Sequence, residues 1–378
     1  MERVIRMSNY SIFLPSYSVG EECYKEIPYV TRKYGKKAVA IGGKTAMSKA
    51  KPELLKALEG TDFEITDFIW YGGDSNYENV EILKKHPEVI NADMLFGIGG
   101  GRACDTVKIL ADMLDKPFFT FPTLASNCAA CTAIAVVYNQ DASFKEYYYM
   151  KTPAYHTFIN TKVISDSPAE LFWAGIGDAL SKEYEVLFVT RDKSMYHTPL
   201  MGHCISTICT EPLLTYGKQA LEDCRQRKPS FALEQVALDI IISTGIVSNF
   251  ETHEAQPDPK DDYYYNSTLA HCVYYGVSTI PAAEKHLHGE IVSFGVLCLL
   301  TYDGQIRERD KIMAFNADMR LPVTLKEMDL TTEDVDKIVK KASSVIEWQF
   351  VPGGASEEKF KNAILETDEA GKSYLAQH

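Results

Sequence analysis

The sequence is short of positive charge: 39 Lys and Arg stand against 52 Asp and Glu, a net charge of −13 over 378 residues. A general nucleic-acid binder needs the opposite balance to displace counterions from phosphates, so nucleic acid is excluded as a partner. No uninterrupted apolar run approaches the roughly 18 residues of a membrane span, so no membrane partner is expected. The stretch Met1 to Val19 mixes Arg, Ser, Asn, Tyr and Pro and lacks the apolar core of a secretory signal. Cysteine is odd in number, nine in all. Scattered through a long chain, these predict free thiols and a cytoplasmic setting in place of a disulfide framework. Internal repeats and low-complexity tracts are missing too. What remains is a globular chain, 46% hydrophobic and 24% charged, long enough for two to three domains at roughly 150 residues each.

Short apolar runs at Lys37–Ile41, Phe63–Tyr71, Met94–Ile98 and Pro117–Phe121 predict strands, bounded by Gly, Pro or Asp. Helix-like stretches lie between them, at Ser48–Leu58, Asn76–His86 and Ala103–Leu114. That alternation implies a mostly parallel sheet covered on both faces. Ile134–Asn139 and Tyr155–Ile164 are expected to add a strand or two. After Pro168 the texture becomes helical, at Leu171–Phe188, Leu233–Ile246, Thr268–Val277 and Glu290–Tyr302. Thr331 and Asp334 suggest a capped helix start ahead of an apolar stripe running from Val335 to Val345 and Ile346. The expected boundary lies near residue 165: an α/β domain over 1–165 and a helical domain over 166–378.

Three motifs carry chemistry. In Phe96 to Lys108 a strand runs into Gly99-Gly100-Gly101 and then a helix, so free N–H groups and the helix dipole can face an anion. The run is neither GxGxxG nor a Walker A loop, and a ligand-free tight turn explains it as well. Pro122 to Thr132 is a small, polar loop after a strand, where open α/β sheets bind ligands. Its Cys128-x-x-Cys131 leaves a redox pair open as an alternative to small pocket-lining residues. The third group is Gly177-Asp178, Ala270-His271 and His286-Leu287-His288-Gly289-Glu290. Singly, Asp178 reads as a helix cap and each His as an ordinary imidazole. Together they make one carboxylate and two imidazoles, a set suited to Zn or Fe with an open position. His271 and His288 are too far apart for one helix face, and a turn at Pro281 would bring them together.

These motifs, GGG-x-x-x-D-T-x-K at Gly99 to Lys108, PT-x-AS at Pro122 to Ser126, AG-x-GDAL at Ala174 to Leu180, Ala270-His271 and H-x-HGE at His286 to Glu290, span nearly the whole chain. The chain resembles the metal-dependent (group III, iron-containing) alcohol dehydrogenases, in their glycerol dehydrogenase-like branch. The resemblance implies an α/β N-terminal Rossmann-like domain that binds a dinucleotide, plus an all-α C-terminal domain, a dehydroquinate synthase-like architecture with a divalent metal between the two. It implies a homo-oligomer acting on a small-molecule substrate. It makes Asp178, His271 and His288 the metal ligands and catalytic centre. It also places Gly100, Gly101 and Asp105 at the cofactor's pyrophosphate, and Thr123, Ser126, Thr132, Ile134 and Tyr138 at its nicotinamide end.

The departures are informative. Glycerol dehydrogenases carry an acid in the PT-x-AS-x-D loop, where this chain has Cys128. Without that carboxylate a polyol loses its hydrogen-bond acceptor and an anion loses a like-charge neighbour. The Asn-Cys-Ala-Ala run is similar to hydroxycarboxylate dehydrogenases, so a 2-oxo or 2-hydroxy acid is the expected substrate, with Cys128 and His271 beside it; no cation to grip its carboxylate is evident. Oxidation of glycerol or another polyol, and a catalytically silent binding protein of the same fold, stand as the alternatives. Tyr274 and Tyr275 replace a His and an Asn of the family pattern, and Arg102 a Lys. Gly43 stands where NAD-using relatives carry an Asp for the ribose 2′-hydroxyl. With Lys44 and Thr45 next to it, NADP is expected over NAD. The stretch Glu251 to Tyr265, rich in Pro, acids and Tyr, is expected to be a surface loop that covers the cleft or reaches a neighbouring subunit.

Overall fold

The computed structural model describes residues 11–252 and 264–378. A six-stranded parallel sheet comes first, made of β1 (Ser16–Val19), β2 (Lys37–Gly42), β3 (Glu64–Trp70), β4 (Met94–Gly99), β5 (Phe118–Pro122) and β8 (His156–Ile159). Their spatial order is β1-β8-β5-β4-β2-β3. Ala38, Ala40, Phe96 and Ile98 join one apolar layer, while Val39, Ile41 and Leu95 join the other. Burial on both faces is why β2 and β4 read as unbroken apolar runs. Helices α1 (Ile27–Thr31) and α2 (Lys44–Leu58) cover the first face. The second is covered by α3 (Tyr77–Lys84), α4 (Pro87–Asn91) and α5 (Gly101–Leu114).

Two expected strands differ. β6 (Ile134–Tyr138) forms, but it pairs antiparallel with β7 (Phe144–Tyr149) in a separate hairpin and does not extend the sheet. Tyr155–Ile164 is extended only through Ile159. The Asn160 side chain accepts the N–H groups of Lys162 (3.1 Å) and Val163 (3.2 Å), which starts α6 (Thr161–Ser165). An Asn at an N-cap outweighs the β-branched residues that follow it.

Beyond α6 the described residues contain helices and no strands: α7 (Ala169–Val189), α8 (His197–Ser206), α9 (Glu211–Arg225), α10 (Phe231–Leu238), α11 (Thr244–Glu251) and α12 (Leu269–Val277), then α13 (His288–Tyr302), α14 (Ile306–Met319), α15 (Val335–Ala342) and α16 (Glu357–Gln377). A π-helical turn at Asp239–Ser243 joins α10 to α11. The combined helix, Phe231–Glu251, has the length and composition to cross a membrane, but 67% of its most apolar window is buried inside the protein, as in a core helix. α15 starts a turn later than expected. The Asp334 carboxylate accepts the N–H and hydroxyl of Thr331, both at 3.0 Å, closing a turn ahead of the helix. α15 ends at Ala342, leaving Val345 and Ile346 beyond it.

From β2 the chain runs outward to β3, and it returns on the other side through β4. The crevice beyond the carboxyl ends of β2 and β4 is therefore the switch point at which open α/β sheets hold ligands. The strands press together here: a Cβ on Gly42 would stand 2.1 Å from the Ile98 carbonyl oxygen. Gly99 turns the chain at φ +148°, in the region that favours glycine.

Candidate active site

Asp178 sits inside α7, well past its start at Ala169, so it is not a helix cap. His271 lies in the first turn of α12, and His288 is the first residue of α13. Close helix packing draws the three together. A Cβ on Gly289 would lie 1.9 Å from the Ala174 carbonyl oxygen of α7, and one on Gly295 would lie 2.3 Å from that of Ala270 in α12. Backbone thus meets backbone on both sides of α13. Asp178 Oδ1 is 3.1 Å from His288 Nε2 and 3.8 Å from His271 Nε2. One ligand atom from each residue lies within 4.8 Å of the other two. Yet buried Oδ1 takes no well-aligned hydrogen bond. The three atoms lie close enough together for one ion to reach them all, and that donor set fits a divalent cation. The cluster opens to solvent on the His288 side, where the side chain is 41% exposed.

Buried groups hold the ligands in place. Glu185 Oε2 lies 2.7 Å from His271 Nδ1, while its Oε1 accepts the N–H groups of Thr268 (2.8 Å) and His271 (3.1 Å). Burial opposes charge on His271, but Glu185 outweighs it and raises the imidazole pKa. For Asp178, burial likewise opposes ionisation, and His288 and His271 outweigh it, holding the carboxyl below its usual range. His286 is occupied elsewhere, with Nδ1 2.7 Å from Glu290 and Nε2 2.7 Å from Asp329. Glu290 also accepts the Leu287 N–H at 3.0 Å, fixing the start of α13 and with it His288. Tyr274 packs edge-on against the His288 ring, 4.1 Å between centroids. Tyr275 hydrogen-bonds to Tyr147.

The residues expected at the cofactor fall into two groups. Gly43 and Gly100 are the N-cap residues of α2 and α5, without side-chain caps, and Gly101 opens α5, so both helix N-termini meet the crevice. Lys44 is exposed at the rim, its ammonium 4.6 Å from the centre of the Trp70 ring, with Thr45 exposed beside it. Ser126, Ile134 and Tyr138 are partly exposed, and Arg102 lies over the Tyr138 ring at 4.5 Å. Asp105, Thr123 and Thr132 are buried. Asp105 accepts the Val136 N–H at 3.1 Å and pairs with Lys108 at 2.7 Å, so its carboxylate faces the protein and not the crevice. Thr132 is turned inward in the same way, its hydroxyl bonded to the Ile134 carbonyl at 3.2 Å.

The sequence reading missed several roles. Buried Lys108 donates to the carbonyls of Ala129 and Ile134 and so ties down the Pro122 to Thr132 loop. Glu185 and Lys182, on the same helix as Asp178, were not singled out either. Burial raises the thiol pKa of both Cys128 and Cys131. A redox pair needs a ready thiolate, which that burial disfavours. The expectation of a loop over Glu251 to Tyr265 falls largely outside the described residues.

The sequence pattern described as iron-containing alcohol dehydrogenase matches residues 15–159. The chain is 26% identical to a glycerol dehydrogenase of Escherichia coli (strain CFT073), covering 100% of both chains. It is 28% identical to hydroxycarboxylate dehydrogenase A of Escherichia coli (strain K12), over 80% of this chain and 81% of that one. The fold superimposes on glycerol dehydrogenase from Schizosaccharomyces pombe with a TM-score of 0.84 at 22% identity, over 98% of this chain and 93% of the other. Over residues 15–159 the chain is thus similar to the iron-containing alcohol dehydrogenases, and over its whole length to a glycerol dehydrogenase.

Proposed function

We propose that this protein is a metal-dependent oxidoreductase that exchanges hydride between NADP(H) and a small 2-oxo or 2-hydroxy acid. The observation that carries the reading is the convergence of Asp178, His271 and His288, beside the loop bearing Cys128. A bound Zn or Fe ion would supply Lewis acidity to the substrate oxygen, and a bound nicotinamide the hydride. The chain's own residues do the rest. Asp178, His271 and His288 hold the ion, Glu185 orients His271, and Lys108 keeps the loop that carries Thr123, Ser126 and Cys128 in position. Gly43 leaves no carboxylate to repel a 2′-phosphate, and Lys44 stands ready to pair with one.

Cys128 supports an acid substrate over a polyol, because no carboxylate at that position repels an anion. The similarity to glycerol dehydrogenases over the full chain supports a second reading, oxidation of glycerol or another polyol. Steady-state kinetics of the metal-loaded protein with glyoxylate, glycolaldehyde and glycerol, each with both nicotinamides, separates the two. The acid reading expects the highest kcat/KM for glyoxylate with NADPH, and a higher value for glycerol overturns it.

A further inference from the structure

One face of α7 is polar in an otherwise largely buried helix. Asp178, Lys182 and Glu185 stand at i, i+4 and i+7, so they line up along the helix. The two carboxylates flank His271, Asp178 Oδ1 lying 3.8 Å from Nε2 and Glu185 Oε2 2.7 Å from Nδ1. Lys182 lies between them and is only 7% exposed. A buried ammonium is costly unless its charge and its donors are answered. The acceptors it has are both on Asn266, the side-chain oxygen and, at 3.2 Å, the backbone carbonyl. Both are neutral. An ammonium has three N–H donors, and among the described residues no acceptor for the third and no ion pair is present.

The groups that feel the field of Lys182 answer it only in part. Its field acts on Asp178, His271, Cys128 and Glu251. Cys128 stays a neutral thiol because burial raises its pKa. Glu251 is wholly buried, and burial pushes its carboxyl to about 9, so it too is neutral at pH 7. Asp178 and Glu185 bring two negative charges, and a divalent ion and Lys182 bring three positive ones. Among these groups alone one positive charge is left over, which a single substrate carboxylate would neutralise. An acid at position 128 would neutralise it from within the protein and suit a neutral substrate instead.

We propose that Lys182 is the cationic contact for the substrate's carboxylate, and that it selects a 2-oxo or 2-hydroxy acid over a neutral polyol. This rests on the reading that substrate binds at the Asp178–His271–His288 cluster. The test uses zinc-loaded, nucleotide-bound protein with oxamate, an unreactive 2-oxo acid analogue, measured by calorimetry. The ratio of kcat/KM for glyoxylate to that for glycolaldehyde is measured alongside it, with zinc content as the check on the cluster. Lys182→Met is expected to weaken oxamate about 10- to 100-fold, the loss of one charged hydrogen bond, and to lower the ratio by a similar factor. Lys182→Gln, which keeps an N–H donor for Asn266 but removes the charge, should do the same, and it decides the matter if Lys182→Met does not fold. Oxamate binding within about twofold of wild type in both variants, or an unchanged ratio, overturns the role of Lys182 alone. Wild-type protein that ignores oxamate and prefers glycerol overturns the substrate reading and Lys182 with it.

Discussion

Glu185 and His271 form a hydrogen bond of 2.7 Å in which the imidazole Nδ1–H donates to a carboxylate that is itself fully buried. With the proton held on Nδ1, Nε2 carries a lone pair toward Asp178 and His288. The other Glu185 oxygen takes the N–H groups of Thr268 and His271, so the same side chain caps α12. Glu185→Gln can keep those two bonds through its amide oxygen, but it turns an NH₂ toward Nδ1 and favours the tautomer with Nε2 protonated. The expected outcome is a folded protein whose zinc affinity in chelator competition is about 10- to 100-fold weaker. Nitrogen NMR of the metal-free protein should show the His271 proton moved from Nδ1 to Nε2. Wild-type affinity in the variant would remove Glu185 from the site.

The sequence exposes the parts of this site more readily than their assembly. The inner strands β2, β4 and β5 were legible because burial on both faces leaves short apolar runs, whereas the half-exposed edge strand β1 carries no such run. Asp178, His271 and His288 were legible because each sits in a distinctive motif. Nothing local separates His286 from His288, however. Asp329, which occupies the His286 ring, is distant in sequence. Lys182 looks like a solvent-facing lysine at helical spacing, and only the segment around Asn266 reveals that it is buried. Asp105 was assigned to the cofactor by its motif, yet its partners Lys108 and Val136 turn it inward.

Gly289 is predicted to be among the positions least tolerant of a methyl group. Its missing Cβ would lie 1.9 Å from the Ala174 carbonyl and 2.8 Å from the Asp178 amide nitrogen. Both contacts are to backbone, so no side chain can swing aside. Gly289→Ala must push α13 away from α7, separating His288 from Asp178. The expected cost is at or above the about 1–3 kcal/mol of ordinary overpacking, with zinc binding lost even in the fraction that folds. Urea unfolding and zinc titration of the variant check both effects. A variant with wild-type stability would contradict the helix contact itself.

Acid sensitivity is expected at the sheet edge. The Ser16 hydroxyl donates to the Tyr155 carbonyl at 2.9 Å, so toward His156 Nδ1, 2.7 Å away, it can only accept. Nε2 then accepts from Ser18 at 2.9 Å, which fixes a neutral ring between β1 and β8. Burial lowers the His156 pKa to about 4, below the ordinary 6.5. Between those values the unfolded chain binds the proton and the folded chain does not. Stability from this group is thus complete above about pH 6.5 and is lost as pH falls toward 4. Urea midpoints at pH 7.5 and 4.5 should fall further for wild type than for His156→Gln. Equal losses would place the acid sensitivity elsewhere.

Cofactor choice can be tested at Gly43 without disturbing the fold. Its φ of −71° suits any residue, and a Cβ there would meet nothing nearer than Ala46 at 3.7 Å. Asp is also a favoured N-cap, so Gly43→Asp is expected to leave α2 as stable as before or slightly more so. The new carboxylate would lie where a ribose 2′-hydroxyl can donate to it and a 2′-phosphate is repelled. The ratio of kcat/KM for NADPH to that for NADH is expected to fall by more than about tenfold, the equivalent of roughly 1.4 kcal/mol. Lys44→Ala should lower the same ratio through loss of attraction to the phosphate. If neither change moves the ratio, the 2′ position of the nucleotide lies away from the β2–α2 turn, and the NADP assignment loses its physical basis.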